Sequence, residues 1–358
     1  MKNEGAAFFM GTNTAQGYFS LFPELFDAKD GWTAYLIKGG PGTGKSGMMK
    51  RIAARAQERG YAVERVYCSS DPQSLDAVRI PALKVCLLDA TAPHTLDPQY
   101  PGAAETIVNL GEAWDREKLK ENAQRIMALT DGNKALHKRS VMFFQAAACA
   151  LEDSRRRALR SLNADKIERY AQRFVARELT VSSGKGTERR CFLNANTPNG
   201  YLTLFDTAEA ACDRIIRITD ETGAAAGELM EALRRYAIGS GVDVLTCLDP
   251  FRPEGRPLHV IFPNERIGFF TDNARQNFKP CAHKTLRSAR FEQEDAALSG
   301  RQRLLFNKKA AAQFLGDGTA LLDKAKRVHD ELEQLYIDAM DFDRVDQMTE
   351  ALAKKIFG

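Results

Sequence analysis

Much that would assign this chain to a class at once is missing from it. Across 358 residues no apolar stretch approaches the ~20 residues that span a bilayer, so no membrane partner is expected. The early "AAFFM" is too short for a signal-peptide core, and Glu4 precedes it. Seven cysteines, an odd number without a CxxC pair, indicate neither a disulfide framework nor a zinc cage. A net charge of +4 is too small to require nucleic acid or a membrane surface as a partner. What remains is ordinary for a soluble protein, 44% hydrophobic and 27% charged, and long enough for about two domains. A reduced, cytoplasmic protein is the expectation.

Against that background one stretch stands out, "TAYLIKGGPGTGKSGMMKRIAARAQERG". Thr33 to Lys38 reads as a buried strand and Ser46 to Arg59 as an amphipathic helix. Between them Gly39, Gly40, Pro41, Gly42, Thr43, Gly44, Lys45 and Ser46 satisfy GxxxxGK[ST], with Gly47 following. Phosphates approach such a backbone closely, so glycines are needed where a Cβ would block them or φ must be positive. Loop N–H groups and the helix N-terminus supply partial positive charge. Lys45 is then expected on the β/γ-phosphates and the Ser46 hydroxyl on Mg²⁺.

The second metal anchor should end a nearby buried strand. "LKVCLLDATAPH" fits, with an apolar run from Leu83 to Leu88 and Asp89 at its C-terminal edge, where open α/β sheets present their ligand crevice. Asp89 is the expected Mg²⁺ carboxylate; a turn-capping Asp is the plainer alternative. Ala90 follows it, so no general base for water comes next in the chain. Guanine selectivity would call for NKxD, but "NKAL" at Asn133 and "NKKA" at Asn307 lack the Asp, so ATP is favoured over GTP.

The chain also repeats itself. "FFMGTNTAQGYFSLF" from Phe8 and "CFLNANTPNGYLTLF" from Cys191 share seven of fifteen positions. "IPALKVCLLD" meets "FPNERIGFFTD", and "NADKIERYAQRFV" meets "DFDRVDQMTEALA". A period of about 180 residues is a duplicated domain. The expected boundaries are 1–180 for a domain with an intact loop, 181–190 for a linker and 191–358 for a degenerate copy. Setting Met49 against Met230 places "DETGAAAG" opposite "GGPGTGKS": Lys45 becomes Ala226, and Asp220 and Glu221 replace two glycines. Two carboxylates repel a triphosphate. Asn13, Thr14, Gly17 and Tyr18 recur as Asn196, Thr197, Gly200 and Tyr201, which points to a structural turn. Asp71-Pro72 recurs as Asp249-Pro250; that favours a turn too, with Asp71 kept as a candidate base or substrate ligand. His94 faces Gln276 in the copy without the loop, which ties it to the nucleotide as a candidate for orienting water or the γ-phosphate.

These stretches, with "YCSSDPQSLDAVRIPALKVCLLDATAPH", "DPQYPGAAETIVNLGEAWD" and "YIDAMDFDRVDQMTEALAKKIF", resemble a family of uncharacterised bacterial P-loop ATPases with two tandem halves. The resemblance implies a P-loop NTPase fold in each half, nucleotide at Gly39 to Ser46 and a Walker B role for Asp89. The missing second loop is a departure from that family.

The expected fold is therefore α/β: tandem P-loop NTPase-like domains, each a mainly parallel sheet flanked by helices and extended by a helical hairpin. Asp115 to Ala176 would form the first hairpin and Asp317 to Phe357 the second, with "TDGN" at Thr130 a candidate kink. Such hairpins could bind a protein partner or self-associate. The basic run from Ser154 to Arg177 reads as a solvated helix face, and nucleic acid is not favoured because no stacking-aromatic pattern accompanies it. An arginine finger could come from this run, with no residue singled out. "LSGRQR" at Leu298 echoes a transporter-ATPase signature but leads into helical spacing. The leading function is a Mg-dependent ATPase whose second half is structural or regulatory. A phosphotransferase using Asp71 as base, or a nucleotide-dependent binding switch, are the alternatives.

Overall fold

A computed structural model describes residues 4–276, 278–293 and 300–358. From the start the chain forms β1 (Glu4–Phe8), β2 (Gly11–Thr14), β3 (Gly17–Ser20), β4 (Thr33–Lys38), α1 (Lys45–Glu58), β5 (Val63–Tyr67), β6 (Leu75–Ile80), β7 (Val85–Asp89), β8 (Glu105–Asn109), α2 (Arg116–Glu121), α3 (Ala123–Leu159) and α4 (Ala164–Glu178). The series then recurs as β9 (Glu188–Cys191), β10 (Asn194–Thr197), β11 (Gly200–Thr203), α5 (Phe205–Ala211), β12 (Arg214–Thr219), α6 (Ala224–Gly239), β13 (Val244–Cys247), β14 (His259–Phe262), β15 (Ile267–Asp272), β16 (Lys284–Arg287), α7 (Arg301–Ile337) and α8 (Phe342–Phe357).

Two six-stranded mixed sheets result, ordered β1-β5-β6-β7-β4-β8 and β9-β13-β14-β15-β12-β16. The two orders are the same under the repeat. In each sheet one strand alone, β6 or β14, runs antiparallel to its neighbours, while β4 lies parallel between β7 and β8, and β12 between β15 and β16. The duplication read from sequence is thus present in strand order and strand direction. The paired motifs "NTAQGY" and "NTPNGY" close the hairpins β2–β3 and β10–β11: the Thr14 hydroxyl donates to the Gly17 carbonyl at 2.7 Å, and Thr197 to Gly200 at 2.8 Å.

The chain separates into two compact units, one of residues 1–12, 20–140 and 320–358, the other of 13–19 and 141–319. They do not follow the boundary expected at 181–190, and the reason lies in the helices. In the first unit α1 buries Met48, Met49, Ile52, Ala53 and Ala56, spaced three and four apart, and its core includes Val345, Leu352 and Ala353 of α8. Arg51 reaches Asp346 at 2.7 Å, and Arg55 pairs with Glu350. In the second unit α6 buries Leu229, Met230, Leu233 and Ala237 with Ile167, Ala171, Phe174 and Val175 of α4. Each terminal helix therefore covers the other half's sheet.

The expected hairpins also differ in detail. "TDGN" does not break α3; Thr130 bonds back to the Ile126 carbonyl at 2.7 Å and the helix continues. The long helix of the second half begins at Arg301, well before Asp317. Within the first unit Asn133 of α3 donates to the Ala325 carbonyl of α7 at 2.8 Å; within the second, Asn307 of α7 donates to Asp153 at 2.7 Å. The "LSGRQR" stretch starts on Leu298 and Ser299, outside the described residues, and is helical from Arg301. Among the described residues no helix is long and apolar enough to cross a membrane.

Candidate nucleotide and cation site

In the first unit the loop Gly39–Gly44 leaves the C-terminal end of β4 and opens α1. Gly42 and Gly44 have φ of +68° and +89°, a region costly for side-chain-bearing residues, and Gly44 is the N-cap. Thr43 is buried, and its hydroxyl donates to the Gly40 carbonyl at 2.9 Å, bracing the turn from inside. Pro41 is half-buried and Gly47 exposed. Lys45, in the first turn of α1, folds back over the loop. Its Nζ donates to the carbonyls of Gly40 at 2.6 Å and Gly39 at 3.2 Å, and stands 3.5 Å from Asp89 Oδ2.

Asp89 ends β7, in register with Ile37 on the adjacent parallel strand β4. Its two oxygens divide their duties. Oδ1 accepts from the Thr91 N–H at 2.9 Å and from the Thr91 hydroxyl, the turn-capping role, while Oδ2 faces Lys45. Ser46 Oγ accepts the Leu75 N–H at 2.9 Å, which ties α1 to β6 and leaves a second lone pair for a ligand. Gly39, Lys45, Ser46 and Asp89 thus converge where two parallel strands end.

Asp71 and His94 are placed differently. Asp71 closes a turn: Oδ1 accepts the Gln73 N–H at 3.3 Å, Oδ2 accepts the Ser74 hydroxyl at 2.8 Å, and Lys326 Nζ lies 4.0 Å away. Both oxygens are engaged in holding the turn. His94 is buried and stacked on Phe22, ring centroids 4.3 Å apart, with Nε2 at 3.8 Å from Asp76 Oδ2. Burial pushes its pKa down to about 4 against the pull of Asp89, so the imidazole is neutral at pH 7.

Asp76 is the residue that sequence reasoning missed. It lies on β6, whose residues are all buried, and its Oδ2 has no hydrogen-bond partner. Burial first, then the Asp89 charge, raises its pKa to about 8. Ligand atoms of Asp76, Asp89 and His94 all lie within 4.8 Å of one another. Two carboxylates and a neutral imidazole form a donor set for a divalent cation, and an unpaired buried oxygen fits such a role. The signal was available. Anchoring Ile80-Pro81 on Phe262-Pro263 sets Asp76 opposite Leu258, a carboxylate present only in the half that has Lys45.

The C-terminal part of α7 covers the loop. A Cβ on Gly40 would meet the Tyr336 ring at 2.7 Å, and one on Gly42 the Glu333 carbonyl at 2.7 Å. The Glu333 carboxylate is held below its usual range first by a hydrogen bond from His329, and it also accepts the Gly42 N–H. An acidic side chain therefore uses one of the loop donors.

In the second unit the equivalent loop is shorter. Six residues, Gly39 to Gly44, separate β4 from α1, but only four, Asp220 to Gly223, separate β12 from α6. Gly223, with φ of +68°, caps α6 as Gly44 caps α1, so the structural match slips from the register that paired Met49 with Met230. Asp220 fills the space. Its Oδ1 accepts from the Thr222 N–H at 3.1 Å and its Oδ2 from the Ala226 N–H at 3.0 Å, and the side chain is buried. The helix start holds a carboxylate of its own where the first unit leaves donors for a ligand. The partner strand β15 ends in Asp272, the counterpart of Asp89, which receives the Arg217 Nε–H at 2.7 Å. Comparisons with protein-family models, with curated proteins and with solved structures found no match.

Proposed function

We propose that the first unit is a P-loop domain that binds Mg-ATP and hydrolyses it, and that the second is a degenerate copy with a structural or regulatory role. The observation that carries this reading is the convergence of Lys45, Ser46 and Asp89 at the ends of two adjacent parallel strands, above a loop with two positive-φ glycines. That placement suits triphosphate recognition: donors on the loop, a cation free to exchange its carbonyl partners for phosphate oxygens, and a carboxylate for the metal. Ser46 and Asp89 would hold Mg²⁺, with Asp76 and His94 in reach of the same ion. Mg²⁺ there would neutralise charge developing on the transferring phosphate. The family resemblance of the first half supports the same reading.

For hydrolysis, the neutral His94 beside Asp76 would orient water, since Ala90 supplies no base. The phosphotransferase reading has less support, because Asp71 is committed to its turn and to Lys326.

The test is phosphate release from Mg-ATP alongside equilibrium ATP binding, with Lys45→Ala and Asp89→Ala. Binding lost in Lys45→Ala and turnover lost in both variants is the expected result. Tight Lys45-dependent binding without release would move the reading to a switch or a transferase. Wild-type protein that binds no ATP would end it.

A further inference from the structure

The second unit carries a groove unrelated to either loop. It has a volume of about 480 Å³ and lies between α4, the edge strand β16 and the turn Ser288–Phe291. Arg169, Arg173 and Arg177 recur at every fourth residue of α4, one stripe with neighbours about 6 Å apart along the axis. Lys284 and Arg290 also line the groove. Among the described residues its one acidic lining residue, Glu178, is taken by Arg214 at 2.9 Å. Among the described residues no carboxylate pairs with Arg173, Arg177, Lys284 or Arg290, in a molecule where most other arginines have such a partner. Six cations and one carboxylate line it among the described residues, in a chain with a net charge of only +4.

The floor is aromatic. Tyr170 packs edge-on to Phe291 at 5.7 Å and parallel to Phe174 at 6.5 Å. The Arg290 guanidinium and the Lys284 ammonium stand 5.6 Å and 5.8 Å from the Tyr170 ring centroid. The Tyr170 hydroxyl is buried without a hydrogen-bond partner among the described residues. The α4 sequence alone hid this arrangement, because Phe291 arrives from far along the chain.

We propose that this groove binds single-stranded nucleic acid, the cations following its phosphates and the half-buried Tyr170 at its floor meeting its bases. Cationic walls with stacking rings are the combination that holds unpaired strands without sequence preference. A duplex hides its base faces and has no use for the floor. A bilayer calls for protruding apolar side chains, whereas Phe174 and Phe291 are buried. The proposal is independent of the loop in the first unit, and its test omits ATP.

Fluorescence anisotropy of the full chain with a labelled single-stranded oligonucleotide of about twelve nucleotides tests it, against the matching duplex and anionic phosphatidylserine vesicles. Four neutralised phosphates predict that log K falls with log salt at a slope of about −3 between about 50 and 200 mM. The double substitution Arg173→Ala with Lys284→Ala should weaken binding at least about tenfold and flatten the slope by about 1.4. Tyr170→Leu should weaken binding while the slope stays, with melting curves of both variants near wild type as the folding control. Absent binding at low salt, equal affinity for the duplex, retention only by vesicles, or indifference to both substitutions in folded protein would each overturn the proposal.

Discussion

Replacing Glu333 with alanine should tighten ATP binding about tenfold. The carboxylate accepts the Gly42 N–H, one of the donors a phosphate would use, while His329 Nε2 stands 3.5 Å from it. A hydrogen bond to a charged group contributes about 1.5–3 kcal/mol, and an incoming phosphate must displace this one. Releasing the lower end of that range, about 1.5 kcal/mol, corresponds to a little more than a tenfold change in Kd, since about 1.4 kcal/mol is tenfold. Glu333→Gln keeps an acceptor but removes the charge, so its gain should be smaller, about threefold, and should fade less with added salt. Titration of a fluorescent ATP analogue with Mg²⁺ reads both. Unchanged or weaker affinity in a Glu333→Ala protein with wild-type melting would show that Glu333 does not compete for the loop.

His259 predicts the acid limit of the second unit: its Nε2 meets Asn194 Oδ1 at 2.9 Å, its Nδ1 accepts the Thr271 N–H, and burial lowers its pKa from 6.5 to about 3. Its contribution is present above pH 6.5 and is lost as pH falls, about 2 kcal/mol by pH 5, so His259→Gln should flatten urea midpoints between pH 6.5 and 5. For Asp76 the sign is reversed: a pKa raised from 3.8 to about 8 gives stability that is full below pH 4 and declines as pH rises through 8, so Asp76→Asn should gain on wild type across that window. Asp220→Ala should cost about 1–3 kcal/mol in urea unfolding, since the Thr222 and Ala226 N–H groups lose their acceptor, and should create no second ATP site in calorimetry. Leu352→Ala should cost about 2–5 kcal/mol by opening the α1–α8 core, and a melting shift under 2 °C would argue that α8 is not part of it.

The strand Thr33–Lys38, the loop after it, and Asp89 at the end of a buried strand were all legible, because each is a local pattern whose chemistry needs neighbours only a few residues away. The duplicated sheets were legible from repeated turns, since Thr14 and Thr197 close the same hairpin. Asp76 was not read, because a carboxylate in an apolar strand looks like an edge position until pairing shows both faces covered. Glu333 and Tyr336 could not be read: nothing local in α7 marks the side that reaches a loop nearly three hundred residues earlier. The same holds for α4, whose apolar stripe names no partner: it packs on α6, beyond the boundary expected at 181–190. Asp220 was read as a charge that repels phosphate, but its main effect is to fill the loop itself.

The exchange of α4 and α8 has a bearing on how such a chain could have arisen and how it must be cut. Residues 1–180 made alone would carry α4 without α6 to receive it, and α1 bare where Leu352 and Ala353 belong. A single-copy ancestor faces the same deficit, and two identical copies trading their last helix would meet it, an intertwined pair with each chain closing the other. Joining the two copies in one polypeptide then frees one to lose its loop while still lending its helix. On that view the half with the shortened loop persists because the half with Lys45 cannot be finished without it.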